Sequence, residues 1–501
     1  MTRSRRWEQA LLGGLLCGGL LGALLGGCAP AESPTSPRSP APPAVTADPT
    51  RPDLVLLLPS GLRADPPGVP GPEARFIDAL GAPTRRFTAA YAQSAATYVS
   101  LGSLFTGRYP TSIPLCGLFM DGVSAVETRM VQGNALANRL WCADIPAAVP
   151  TLPEVLALYG YRTAFAVAGV TGAETLGRGF QEVETIAFSA DTGTDWPALL
   201  RWAGGWWSEN ADAPRLLVVT TADTQVVDRP KVLDRMGIRL MLDESMPVFN
   251  PGRTDADPAT VATVFGDVAH DAGAGLASVV GALAAAPSGR ARWVFATATN
   301  GVSLIEPTGF FDMPVPIAST SFMLDRTARV PLLVYAPPAV AGGMHPAESG
   351  RVVELLDLFP TLAGLAGAVA PARLPGADLF AGPVAGTGDE YAYAEFGDTL
   401  LYREGTYELL FRGYLHHGTV LDPQLDERLR DPASQKYFTV HEVMRDPWQK
   451  ENLVFSQAGK FQELRAAMTG VRTGPGAPPA GTWDDPQRLW EIRMARSHGY
   501  W

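Results

Sequence analysis

Residues able to do chemistry are sparse in this sequence and rarely stand close together. The chain of 501 residues holds only 6 His and 4 Cys, a thin supply for a hydrolase that relies on His for metal binding or proton transfer. His416 and His417 are adjacent, and on regular backbone neighbouring side chains point in different directions, which suits them poorly to one metal ion. His441 lies in a strand-like run and reads as a packed or surface residue. Asp65 and Asp223 each follow an apolar run, but alone they would hold a cation weakly. Thr97 carries a hydroxyl that becomes a nucleophile only beside an activating base or metal, and otherwise suits a helix N-cap. Trp206 and Trp207 read as core or helix-face residues rather than a ligand platform.

The elements that must position these groups follow from the apolar pattern. From Asp53 onward, short apolar runs alternate with longer helical ones. Strands are expected at 54–58, 161–167, 215–221, 292–299 and 330–336. Helices are expected at 72–81, 151–160, 259–285 and 354–367. Strands buried on both faces and separated by helices imply an α/β fold: a mixed, mostly parallel central sheet with helices on both sides. Ligands in such sheets sit at the carboxyl ends of the strands. Past residue 386 the character changes to short strands at 390–396, 400–411 (bent at Glu404-Gly405-Thr406) and 437–443, with a last helix at 485–497. This is a small C-terminal α+β subdomain built on an antiparallel sheet.

The N-terminus reads as an address. Arg3, Arg5 and Arg6 precede a Gly/Leu-rich run from Ala10 to Leu25, which ends in Gly26-Gly27-Cys28. A basic start, an apolar middle and small residues before the cut describe a secretory signal. The run is short and rich in Gly for the alternative, a transmembrane anchor. The ending resembles a bacterial lipobox, which implies lipidation at Cys28 and a membrane as first partner; Ala29 after it implies the outer membrane. Residues 29–52 hold Pro at 30, 34, 37, 40, 42, 43, 49 and 52 and form an extended tether. The expected organisation is signal peptide 1–27, tether 28–52, α/β domain 53–385 and C-terminal subdomain 386–501. With Cys17 removed and Cys28 lipidated, Cys116 and Cys142 remain. In an oxidising compartment they form a disulfide, with two buried free thiols as the alternative. The net charge of −11, with Lys and Arg scattered, argues against a nucleic-acid partner.

Several stretches resemble, in order, the signatures of the sulfatase family of the alkaline phosphatase superfamily. Asp53-Leu-Val-Leu-Leu-Leu-Pro-Ser60-Gly61-Leu62-Arg63-Ala64-Asp65 is similar to its first strand and metal turn. Ala90 to Pro110, with Thr97 and Thr106-Gly107, is similar to its nucleophile helix. Thr151-Leu-Pro-Glu154 through Gly160-Tyr-Arg-Thr163, Arg329-Val-Pro-Leu-Leu333, Glu354-Leu-Leu-Asp357-Leu-Phe-Pro-Thr361, Tyr407-Glu-Leu-Leu and Asp446-Pro to Glu451-Asn-Leu match further blocks. The resemblance implies a divalent cation held mainly by carboxylates, which activates the nucleophile and polarises the ester. Position by position, the charged groups are missing. The first carboxylate position falls on Ser60 and its neighbour on Gly61. The later Asp-His pair falls on Thr299 and Asn300. The mid-chain strand continues to Asp223-Thr224-Gln225, with Gln225 where the family has a His. The last basic residue falls near Ser319. Thr97 alone keeps the nucleophile position, and Thr cannot become the formylglycine that sulfatases make from Cys or Ser. Carboxylates clustered without a metal repel one another, so neutral side chains are the stable replacements once the metal is gone.

The expected function is therefore that of a sulfatase-like envelope lipoprotein without hydrolase activity or cofactor, which binds a cell-envelope glycan or a protein partner. It would do so through the old cleft or through the inserts at 110–150 and 226–258. The alternative is a working sulfatase, phosphatase or phosphotransferase with Thr97 as nucleophile and one divalent cation such as calcium or magnesium in a rearranged site. A purely structural envelope subunit is a third reading.

Overall fold

The computed structural model describes residues 50–473, apart from 67–70, 114–115, 119–139, 143–144, 171, 227–228, 239, 242–249, 252–255, 286–288, 305–322, 345–346, 382–390, 397–398 and 413–428. The described residues all belong to one compact unit, which begins at Ala44. The signal peptide, Cys28, most of the tether, His416, His417, Ser319, the boundary at 386 and the expected helix at 485–497 lie outside the described residues.

The central sheet has eight strands: β1 (Asp53–Pro59), β2 (Arg85–Tyr91), β3 (Arg162–Ala168), β4 (Glu182–Ile186), β5 (Arg215–Thr221), β6 (Arg292–Thr297), β7 (Arg329–Tyr335) and β8 (Glu348–Glu354). Their order is β8-β2-β7-β6-β1-β5-β3-β4. All pairings are parallel except those of β7, which runs antiparallel to β6 and β2. The apolar run of β1 puts it at the centre, where every one of its residues is buried; a strand covered on both faces has no use for alternation. Two groups of helices cover the sheet. In one, α1 (Pro72–Leu80) and α4 (Trp196–Glu209) pack on the long α5 (Pro258–Ala285). In the other, α2 (Thr97–Thr106), α3 (Leu152–Leu158) and α6 (Leu358–Leu365) pack together. Helix α3 opens with a capping box, in which Thr151 and Glu154 each bond the other's backbone N–H.

At the C-terminal end, β9 (Tyr391–Phe396), β10 (Thr399–Glu404), β11 (Tyr407–Arg412) and β12 (Phe438–Glu442) form an antiparallel meander in chain order. Helix α7 (Ala458–Thr473) packs on it, over a second core that includes Tyr393, Leu409, Phe438, Phe461 and Leu464. The expected bend at Glu404-Gly405-Thr406 is a tight hairpin in which Gly405 takes φ +56°.

Two expected elements are differently bounded. The helix expected from 354 is a strand end at Glu354, a 3-10 turn at Leu355–Asp357 and only then α6. Pro360 has no N–H and fits only the first turn of a helix, so α6 starts at Leu358. The strand expected to reach residue 299 stops at Thr297, because the next residues turn into the cleft.

Candidate functional site

Three adjacent central strands, β6, β1 and β5, end side by side, and the segments leaving their carboxyl ends carry Thr299-Asn300, Ser60-Gly61 and Asp223-Thr224-Gln225 respectively. Backbone bonds lock these turns together: Ser60 N–H donates to Thr221 O at 2.7 Å, Gly61 N–H to Asn300 O at 3.1 Å and Thr299 N–H to Pro59 O at 3.3 Å. The Thr224 hydroxyl donates to Ser60 O at 2.7 Å. Gly61 has φ +84°, and a Cβ there would lie 2.6 Å from Gln225 Oε1. Only glycine fits such a conformation in so close an approach.

The side chains converge. Ser60 Oγ lies 2.5 Å from Thr97 Oγ1, at the first residue of α2. Thr97 Oγ1 donates to Asn300 Oδ1 at 2.9 Å, as does Thr299 Oγ1 at 2.9 Å. Ser60 Oγ is 3.3 Å from Asn300 Oδ1 and 3.4 Å from Gln225 Oε1. Asn300 Nδ2 donates to Gly301 O at 2.8 Å, which fixes the amide so that its oxygen faces the hydroxyls. Ser60, Thr299, Asn300 and Gln225 are buried, and Thr97 is half-buried, the cluster's exposed edge. Thr97 is not an N-cap: that place belongs to Ala96, and the hydroxyl faces Ser60 and Asn300 instead.

The two nearby carboxylates are engaged elsewhere. Asp65 accepts the N–H groups of Gly71, Glu73 and Ala74 at 2.7–3.0 Å and holds the first turn of α1. Asp223 accepts the Thr194 N–H at 3.0 Å and the Thr194 hydroxyl at 2.5 Å, while Arg229 donates to its carbonyl. Sequence reasoning placed Asp223 beside Gln225 but missed Thr194, which is 29 positions away and carries no local signal.

A divalent cation of the kind the resemblance implies does not fit this donor set. The inward oxygens of Ser60, Thr97, Thr299, Gln225 and Asn300 are neutral, and they are close enough to bond one another. A hard cation needs six or more oxygens, carboxylates among them, to replace its hydration shell. Among the described residues no group of three or more His, Cys, Asp or Glu is placed to hold a metal ion. The Thr97 proton is directed at an amide oxygen, which takes no proton at neutral pH, so the cluster supplies no base for this hydroxyl.

The remaining candidates stand apart from the cleft. Trp207 is fully buried beneath the Arg215 guanidinium, 4.0 Å from its ring centroid, beside the Arg215–Asp53 ion pair. Trp206 is buried and His441 is packed in the C-terminal sheet. Cys116 and Cys142 face each other in register across a short antiparallel ribbon, Cys116–Leu118 with Leu140–Cys142. Most of the insert at 110–150, and nearly half of that at 226–258, lies outside the described residues.

No family model matches the sequence, and no curated protein matches it either. Solved structures do. A sulfatase, yidJ, from Bacteroides fragilis superposes with a TM-score of 0.57 at 14% identity, covering 87% of this chain and 98% of its own. A 2-O GAG sulfatase, BT1596, gives 0.56 at 15% identity, covering 84% and 92%. Ps i-CgsB, crystallised with k-i-k-neocarrahexaose, gives 0.55 at 16% identity, covering 90% and 99%. Coverage this complete on both sides leaves one conclusion about architecture: the chain has the sulfatase fold.

Proposed function

We propose that this chain is a sulfatase-fold protein that binds a neutral, hydroxyl-rich ligand of the cell envelope, a glycan, without hydrolysing it. The observation that carries the reading is the all-neutral cluster of Ser60, Thr97, Thr299, Asn300 and Gln225 at the carboxyl ends of β1, β5 and β6. Hydroxyls and amides both donate and accept, as sugar hydroxyls do, whereas ester hydrolysis in this fold needs concentrated charge. One structural neighbour was crystallised with a neocarrahexaose, which supports a glycan as the ligand class. The lipobox-like ending at Cys28 and the Pro-rich tether support an exported protein held by lipid to the envelope, with the folded unit free to reach along it.

The test uses the full mature chain. Elemental analysis is expected to find no stoichiometric divalent metal. Aryl sulfate and aryl phosphate turnover is expected to stay at background, with Thr97→Val no different. A glycan array is expected to give binding that Asn300→Ala weakens about tenfold, because Thr97, at the exposed edge of the cluster, loses the buried acceptor that fixes its hydroxyl. Stoichiometric metal, or turnover abolished by Thr97→Val, would overturn the proposal in favour of an active esterase with Thr97 as nucleophile. Cys28→Ser is expected to move the protein from the membrane to the soluble fraction.

A further inference from the structure

Helix α2 presents Thr97 to the cleft, and the chain on both sides of it converges on one buried carboxyl group. Glu354, the last residue of β8, is 4% exposed. Its Oε2 accepts the hydroxyl of Tyr109, three residues past the end of α2, at 2.8 Å. Its Oε1 accepts the backbone N–H of Tyr393 in β9 at 2.8 Å and lies 3.4 Å from Nε2 of Gln93, four residues before Thr97. Strand β9 repeats the clasp: Glu395 N–H donates to Gln93 O at 2.9 Å, and Glu395 Oε1 accepts the Thr111 N–H at 2.6 Å. The two ends of the α2 segment are thus tied to the same residue and the same strand.

We propose that Glu354 is a positioning residue for the Thr97 cleft, and that its protonation state sets how α2 presents the Thr97 hydroxyl. This regulates the site read above as a ligand cleft and rests on that reading for its biological meaning. The groups around Glu354 favour titration within the range an envelope protein meets. Burial and the neighbouring Asp357 carboxylate push it up to about 8, against the donors Tyr393, Tyr109 and Gln93. The arginines packed around this region face other acids: Arg472 bonds Glu395 and Tyr393, and Arg351 lies toward Asp357, as does the further carboxylate of Asp378. Tyr391 and Tyr402 complete the titratable surroundings; burial and then the Glu404 carboxylate hold the Tyr402 phenol well above its usual range. Gln93 is fully buried and its Oε1 has no hydrogen-bond partner. A neutral Glu354 can supply that proton once the amide turns, a turn that gives up the bond from Gln93 Nε2 to Tyr91 O at 3.2 Å and so repositions the end of β2 as well. An ionised Glu354 cannot, so each protonation state prefers its own arrangement of Gln93 and the loop that leads to Thr97.

The experiment follows the Thr97 methyl resonance by NMR in the full mature chain labelled at Thr methyl groups, from pH 6 to 9.5. Thr263, which is exposed on α5, serves as the reference for an intact fold. The wild-type Thr97 resonance is expected to shift with a midpoint near pH 8 while Thr263 stays fixed. Glu354→Gln, neutral at every pH, is expected to hold the low-pH position throughout, and Glu354→Asp is expected to restore a titration. A flat Thr97 resonance in the wild type, or the same titration in Glu354→Gln, would overturn the proposal. No ligand is needed, so failure to find a bound glycan leaves this result standing, and a flat titration leaves the glycan reading standing.

Discussion

Ser60 Oγ lies 2.5 Å from Thr97 Oγ1 across 37 residues of chain. The contact joins the end of the central strand to the start of α2 with two neutral hydroxyls. Both also lie within reach of Asn300 Oδ1, which accepts from Thr97 and Thr299. The cluster is closed on itself: each proton has an oxygen to go to, and no charge is left uncompensated.

That closure predicts the outcome of restoring an acid. Ser60→Asp would place a carboxylate against Thr97 and the acceptor oxygens of Asn300 and Gln225, fully buried and without a cation. The variant is expected to lose about 3 kcal/mol of stability in urea unfolding at pH 7, the scale of an uncompensated buried charge. Millimolar calcium is expected to leave the wild-type midpoint unchanged. A loss below about 1 kcal/mol would show that the cluster tolerates charge, against the closed network described above.

The strands of the central sheet were legible because burial on both faces writes itself as unbroken apolar runs, as in Leu54 to Leu58. Ser60, Thr299, Asn300 and Gln225 stand out only through the resemblance to the sulfatase signatures, since four neutral residues carry no local signal of a site. Strand β2, Arg85–Tyr91, was not legible: two arginines and small residues leave it only partly buried, with neither an unbroken apolar run nor a regular alternation. Nor were the roles of Asp65, Asp223 and Glu354 legible. A carboxylate looks alike in sequence whether it faces a cleft or caps a helix, and the partners of Glu354 lie as much as 261 residues away.

Stability should also report the buried acids through pH. Burial raises Glu354 to about 8 and Asp357 to about 6, from ordinary values of 4.5 and 3.8. The native state therefore holds these protons more tightly than the unfolded chain. Their contribution is fully present below about pH 4 and is lost as pH rises through 6 and then 8. The unfolding free energy of the wild type in urea is expected to fall between pH 5 and pH 8.5 relative to that of Glu354→Gln, by a difference on the order of a few kcal/mol. Parallel pH profiles for the two proteins would contradict the assignment.

Cys116 and Cys142 are paired in register in an antiparallel ribbon, where Cα atoms lie about 4.5–5.5 Å apart, inside the range a disulfide spans. The protein made in an oxidising compartment is expected to resist alkylation at both cysteines until reduced, with one linked peptide pair by mass spectrometry. Reduction is expected to lower stability by about 3 kcal/mol, the chain-entropy value for a loop of this length. Free thiols in the exported protein would refute the link.

A last prediction concerns the junction of the two sheets. Asp325 accepts the Tyr91 hydroxyl at 2.8 Å and the Arg329 Nε–H at 2.7 Å. Glu408, on β11 opposite both Arg403 and His441, is fully buried; its Oε1 accepts from Gln449. Burial and then the Asp325 carboxylate hold its pKa well above the usual carboxylate range. Two adjacent buried carboxyl groups do not both ionise, so Glu408 is the protonated acid and Asp325 the anion, with Arg329 as counter-ion. Glu408 Oε2, which accepts no hydrogen bond, is then the hydroxyl. Glu408→Gln keeps a neutral donor of the same shape and is expected to stay within about 1 kcal/mol of the wild type. Asp325→Asn strands Arg329 in the interior and is expected to lose about 3–5 kcal/mol. The order of the two effects in urea unfolding decides the assignment: if Glu408→Gln were the more damaging, Glu408 would be the anion.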